Sequence, residues 1–167
     1  MHYCEATHPV PVRGWPPPLV FLAGGIDCCP DWQAAVRQDL CQACSCTLLN
    51  PRRANFPMND PDTAEAQIIW EHDALRKADV VAFWFCKEKV QPIALFELGA
   101  TLERLGGAVG GLPRIIIGIE AGYPRTQDVE IQTRLVMGHD YMIHHSFEAY
   151  LSALRLNLLR RINRAVE

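Results

Sequence analysis

The segment Asp79-Val80-Val81-Ala82-Phe83-Trp84-Phe85 decides how the chain folds. One acid is followed by an unbroken apolar run rich in β-branched and aromatic side chains, the composition of a strand covered on both faces. Such strands occur inside parallel sheets packed between helices. Working outward, residues 19–23 form a second apolar run that stops at Gly24-Gly25, and residues 114–119 a third. Residues 47–49, closed by Asn50-Pro51, and residues 141–144 read as two further short strands.

Helices are expected between them. Asp31 can cap a helix over residues 32–42, with Trp32, Ala35, Val36 and Leu40 on one face. Apolar Ile68, Ile69 and Leu75 mark a helix over 63–77, after a polar loop over 52–62. Pro92 suits a first helical position and opens a helix over 93–105, ended by Gly106-Gly107. A weaker helix or irregular stretch fills 125–137, and Ser146 caps a long final helix. This alternation specifies one three-layer α/β domain with a five-stranded, mainly parallel sheet over residues 19–167. Residues 1–18, with Pro9, Pro11, Pro16, Pro17 and Pro18, read as an extended arm.

Composition excludes several function classes. A formal charge of −3 and a pI near 6.1 do not describe a nucleic-acid or membrane-surface binder. Arg155, Arg160, Arg161 and Arg164 recur at helical spacing among leucines, as on the solvated face of an amphipathic helix. No apolar run approaches the roughly 20 residues of a membrane span, and the N-terminus lacks the pattern of a signal peptide. Seven cysteines are an odd count in a chain of 167 residues, which fits reduced thiols and a cytoplasmic location. Cys28, Cys29, Cys41, Cys44 and Cys46 lack the second pair or nearby histidines of a zinc site, so no metal is expected.

Ligands of parallel sheets sit beyond the carboxyl ends of the strands, at the switch point. That places function at residues 24–29, 50–56, 85–97 and 120–128. Glu97 lies near a helix start, where the dipole favours an ionised carboxylate, in the apolar company of Leu95, Phe96 and Leu98. The residues alone leave two readings open, a solvated helical carboxylate and a reacting one. Glu71 and Asp73 point to different faces of their helix, so one of them at most faces the site, and His72 between them reads as a surface residue. Gly24-Gly25 is a partial phosphate-binding turn, without the third glycine of a dinucleotide site or the Lys-Ser/Thr of a P-loop. Arg52-Arg53 can hold a phosphate or carboxylate, or be solvated loop charges.

Taken in order, Val20-Phe-Leu-Ala-Gly-Gly-Ile26, Asp31-Trp-Gln33, Leu49-Asn-Pro-Arg-Arg53, Ile69-Trp-Glu71, Ala78 to Phe85 and Pro92-Ile-Ala-Leu-Phe-Glu-Leu-Gly99 resemble the nucleoside 2-deoxyribosyltransferase-like proteins. The resemblance implies a flavodoxin-like domain that forms homodimers or higher homo-oligomers, with sites near subunit interfaces. It implies cleavage of an N-glycosidic bond without a cofactor, on a nucleoside or nucleotide, with transfer to a free nucleobase. By the motif, Glu97 is the nucleophile toward C1′ of the deoxyribose. By the spacing from Asp79, Glu71 handles the departing base, with Asp73 as the fallback. Gly24, Gly25, Ile26, Asp31, Arg53, Phe56, Trp84 and Gln91 are the expected substrate-binding residues. Gln91 stands where the family often has Asp or Ser. A 5′-monophosphate N-glycosidase and a non-catalytic nucleotide-binding module are the alternatives.

Overall fold

A computed structural model describes residues 1–9, 17–53, 61–105, 112 and 114–165. The strands are β1 (His2–Glu5), β2 (Leu19–Gly24), β3 (Thr47–Asn50), β4 (Val80–Phe85) and β5 (Ile115–Ile119). The helices are α1 (Trp32–Ala43), α2 (Pro61–Lys77), α3 (Pro92–Leu105), α4 (Thr126–Met137) and α5 (Phe147–Arg164). All strand pairs are parallel, in the order β1-β3-β2-β4-β5. This is the expected α/β domain, a three-layer, flavodoxin-like sheet of five strands.

Strand alternation sorts the core onto two faces. Val81, Phe83 and Phe85 of β4 point toward one cluster, with Ile115, Ile117 and Ile119 of β5, Trp70 and Ala74 of α2, Leu98 and Leu102 of α3, and Val129 of α4. Val80, Ala82 and Trp84 point the other way, against Trp32, Val36 and Leu40 of α1 and Tyr150, Leu154 and Leu158 of α5. Every residue of β4 is buried, as its composition demands. The caps act as expected: Asp31 accepts from the Ala34 amide at 3.0 Å, and Ser146 from the Ala149 amide at 3.2 Å.

Two expectations are corrected. The N-terminal segment is not only an arm, because residues 2–5 form the edge strand β1 in register with all of β3. Residues 141–144 do not form a strand; they run past β5 with a single bridge, Gly118 to His144. Only His144 pairs with β5 there, exchanging backbone hydrogen bonds with Ile117 and Ile119, while Met142 is 71% exposed. The fifth strand is therefore at the opposite edge of the sheet from the one the apolar pattern suggested. The Gly106-Gly107 helix stop lies outside the described residues.

From β3 the chain returns across β2 to β4, so the sheet reverses its direction of growth between β2 and β4. Gly24 pairs with Trp84 at the carboxyl ends of these strands, which sets the turns after β2 and β4 side by side.

Candidate active site

The turn after β2 is shaped by two glycines. Gly24 has φ +150, and a Cβ there would overlap the carbonyl oxygen of Trp84. A Cβ on Gly25 would overlap the Cys29 sulfur and the Gln91 amide. Only glycine lets the turn lie this close to its neighbours. Arg52, from the end of β3, closes the turn. Its Nη2 donates to the carbonyls of Ile26 (3.1 Å), Cys29 (3.2 Å) and Pro30 (3.0 Å), and its Nε donates to Gln33 Oε1 at 3.0 Å.

Between this turn and the start of α3 lies a cleft of about 360 Å³. Gly24, Gly25 and Ile26 form one wall, Gln91 to Ala94 another, and Pro51 part of the floor. Glu71 and Glu97 enter it from α2 and α3. Glu71 is held by Gln67, whose Nε2 donates to Glu71 Oε1 at 2.8 Å and to the Pro51 carbonyl at 3.1 Å. One amide thus ties the carboxyl to the end of β3.

Both carboxyls are held above their ordinary range. Burial raises Glu97 from 4.5 to about 8, with the negative charge of Glu71 adding to it. Burial also raises Glu71, opposed by the hydrogen bond from Gln67. The helix start does not keep Glu97 ionised, as its position had implied. Glu97 is the sixth residue of α3, and the dipole's influence fades beyond the first turn. Loss of solvent and a like charge win there. Burial and the like charge therefore favour a protonated Glu97 at neutral pH.

The other expected residues divide. Gly24, Gly25, Ile26 and Gln91 line the cleft. Gln91 is 8% exposed and donates from Nε2 to the Cys86 carbonyl at 3.0 Å. Asp73 is on the outer side of α2, 3.8 Å from Lys77, and does not reach the cleft. Trp84 is buried on the opposite face of the sheet, against Tyr150 and Phe147, because it alternates with Phe83 and Phe85. Asp31 caps α1 and stands 3.6 Å from Arg52. Arg53 is half-buried at the end of β3 and is not among the cleft's lining. Phe56 lies outside the described residues.

Sequence reasoning missed Gln67, and it did not single out Pro51, Asp27 and Lys89 within the segments where it placed function. Lys89 forms an ion pair with Asp27 across the mouth of the cleft. Gln67 was findable, since it precedes Glu71 by one helical turn and so shares its face. Nothing local marks the Asp27–Lys89 pair, which joins two loops.

A cleft at the reversal point of a parallel sheet, entered by two carboxyls held above their ordinary range, is the place where an α/β protein of this class takes its ligand. The chain matches the family described as nucleoside 2-deoxyribosyltransferase like over residues 17–114. That is more than half of its 167 residues, and the chain belongs to this family. A comparison with curated proteins gave no match. Among the described residues no helix is long and apolar enough to cross a membrane.

Proposed function

We propose that this protein is a nucleoside 2′-deoxyribosyltransferase that works through a covalent glycosyl ester on Glu97. The observation that carries this reading is the convergence of Glu97 and Glu71, from two different helices, on one cleft at the switch point. A base whose acceptor nitrogen faces Glu71 favours transfer of the Glu97 proton to Glu71 and leaves Glu97 ionised. A Glu97 oxygen then bonds to C1′ as the C1′–N bond breaks, and the Glu71 proton passes to the departing base. In the second half a nitrogen of the incoming base attacks C1′, its proton goes to Glu71, and the ester opens to restore Glu97. The reaction needs no cofactor.

The charge of the cleft supports a free nucleoside over a 5′-monophosphate. Its described lining carries Asp27, Glu71 and Glu97 against one cation, Lys89, which is paired with Asp27. Arg52 is engaged with backbone carbonyls, and residues 54–60 contain no Lys or Arg. A phosphate placed here would meet more negative charge than positive.

We also propose a homo-oligomer in which a second copy covers the cleft and excludes water. Ile68 and Ile69 of α2 and Ile93 and Phe96 of α3 are exposed on the helices that carry the two carboxyls, Phe96 by 77%. Apolar side chains grouped in this way mark contact surfaces.

The test is incubation with a 2′-deoxynucleoside and a second free base, with products followed by chromatography. Exchange of the base is expected, and Glu97→Gln should lower its rate by on the order of 10⁴-fold or more while the far-ultraviolet circular dichroism stays native. Release of free sugar alone would favour a hydrolase. Exchange that survives Glu97→Gln would remove the nucleophile assignment.

A further inference from the structure

We propose that Cys29, Cys86 and Glu88 form a binding site for a thiophilic divalent cation, zinc foremost, behind the wall of the cleft. The two sulfurs and a Glu88 carboxylate oxygen lie within 4.8 Å of one another. They are far apart in sequence, and the fold brings them together. Cys29 is in the turn after β2, and Cys86 and Glu88 directly follow β4. The Gly24–Trp84 pairing at the ends of those strands forces the two turns into contact.

The donor chemistry selects the cation. Two thiolates and a carboxylate suit zinc rather than magnesium or calcium, which take oxygen ligands alone. A tetrahedral zinc with Zn–S of about 2.3 Å spaces its donors roughly 3.5–3.8 Å apart. Side-chain shifts of about an ångström close the present separation to that spacing. Neither cysteine is in a disulfide; Cys86 is buried, Cys29 half-buried and Glu88 exposed, so the fourth position faces solvent and takes a water. Loading releases the two thiol protons to solvent. The positive charge of Arg52, 3.2 Å from the Cys29 carbonyl, offsets part of the negative charge of the ligand set.

Supporting contacts are also in place. Gln91 Nε2 donates to the Cys86 carbonyl at 3.0 Å and lies 3.7 Å from the Cys29 sulfur. Such outer contacts orient ligands. The same glutamine lines the cleft, so a bound ion would fix the wall that a substrate meets.

The experiment is titration of the reduced full chain with cobalt(II), the spectroscopic stand-in for zinc. One equivalent should bind with tetrahedral d–d absorption and a thiolate charge-transfer band, and zinc should displace it. Cys41→Ser/Cys44→Ser, which removes thiols outside the site, should bind as the wild type does. Cys29→Ser and Glu88→Gln, checked for native circular dichroism, should each weaken binding roughly tenfold or more. Glu97→Gln should still bind cobalt, which separates this site from the catalytic reading. Absence of a thiolate band, wild-type affinity in Cys29→Ser, or loss of binding in Cys41→Ser/Cys44→Ser would overturn the proposal. So would a reduced protein that binds no cobalt yet forms a Cys29–Cys86 disulfide under mild oxidation by a small-molecule disulfide.

Discussion

The two faces of the sheet differ in what they bury. On the α1/α5 face, Trp84 packs edge-on against Phe147 with ring centroids 4.9 Å apart, and against Tyr150 at 5.2 Å. That face is sealed by rings and aliphatic chains. On the other face an equally apolar core, including Phe83 stacked on Phe85, runs to the last residues of β4 and β5, and two carboxyls are half-buried beyond it. The same strand, β4, serves both faces with alternate residues. Burial stabilises one face and holds a chemically poised, energetically unfavourable pair on the other.

Breaking the pair should have the largest effect. Glu71→Gln removes the acid and should lower kcat/KM for base exchange by on the order of 10²–10⁴-fold. It also removes the charge that helps to raise Glu97. The wild-type profile of kcat/KM should be bell-shaped, with its alkaline limb near a pH of about 8. In Glu71→Gln that limb should vanish, and activity should instead rise with pH through a Glu97 pKa lower than in the wild type.

The sealed face is broken by Trp84→Ala, which should cost about 3–5 kcal/mol of stability in urea denaturation. The protein that remains folded should keep Glu97-dependent exchange. Abolished exchange in fully folded protein would mean that Trp84 serves the site after all.

The contrast is sharpened by Glu97→Gln measured for stability. A carboxyl raised from 4.5 to about 8 in the folded state favours folding only while protonated. Its contribution is present below 4.5 and is lost as pH rises through about 8. Glu97→Gln should therefore be more stable than the wild type at a pH of about 9, by on the order of 1–2 kcal/mol after solvent screening, and the gain should fade toward a pH of about 4. Asp73→Asn, on the solvated side of α2, should change both stability and rate least, within about 0.5 kcal/mol.

How much the sequence disclosed follows the same division. Strands β2, β4 and β5 were legible because burial on both sides leaves an unbroken apolar run. Strand β1 was not, since its alternate residues are exposed or half-exposed and its order comes from pairing with β3, a contact remote in sequence. Residues 141–144 carry strand-like composition but lie along β5 with one bridge, held partly by the Tyr141 hydroxyl donating to the Ile115 carbonyl. That Glu97 and Glu71 line one cleft was anticipated through an ordered set of motifs. Trp84 packs on the face away from the cleft, which a linear motif does not record, although its parity with Phe83 and Phe85 did. The closeness of Cys29 and Cys86 was illegible for a different reason, because it depends on which strands are neighbours.

Arg52 has a consequence for how freely this molecule can vary. Its guanidinium grips main-chain oxygens at residues 26, 29 and 30, and every amino acid supplies such an oxygen. Apart from Gly24 and Gly25, which no other residue can replace without a clash, the outline of the turn therefore depends little on the side chains at these three positions. Substitutions at 26 can retune the cleft wall, and those at 29 its hidden side, while one arginine just beyond a neighbouring strand keeps the loop's shape. A lineage carrying this device can change its ligand without relearning its turn.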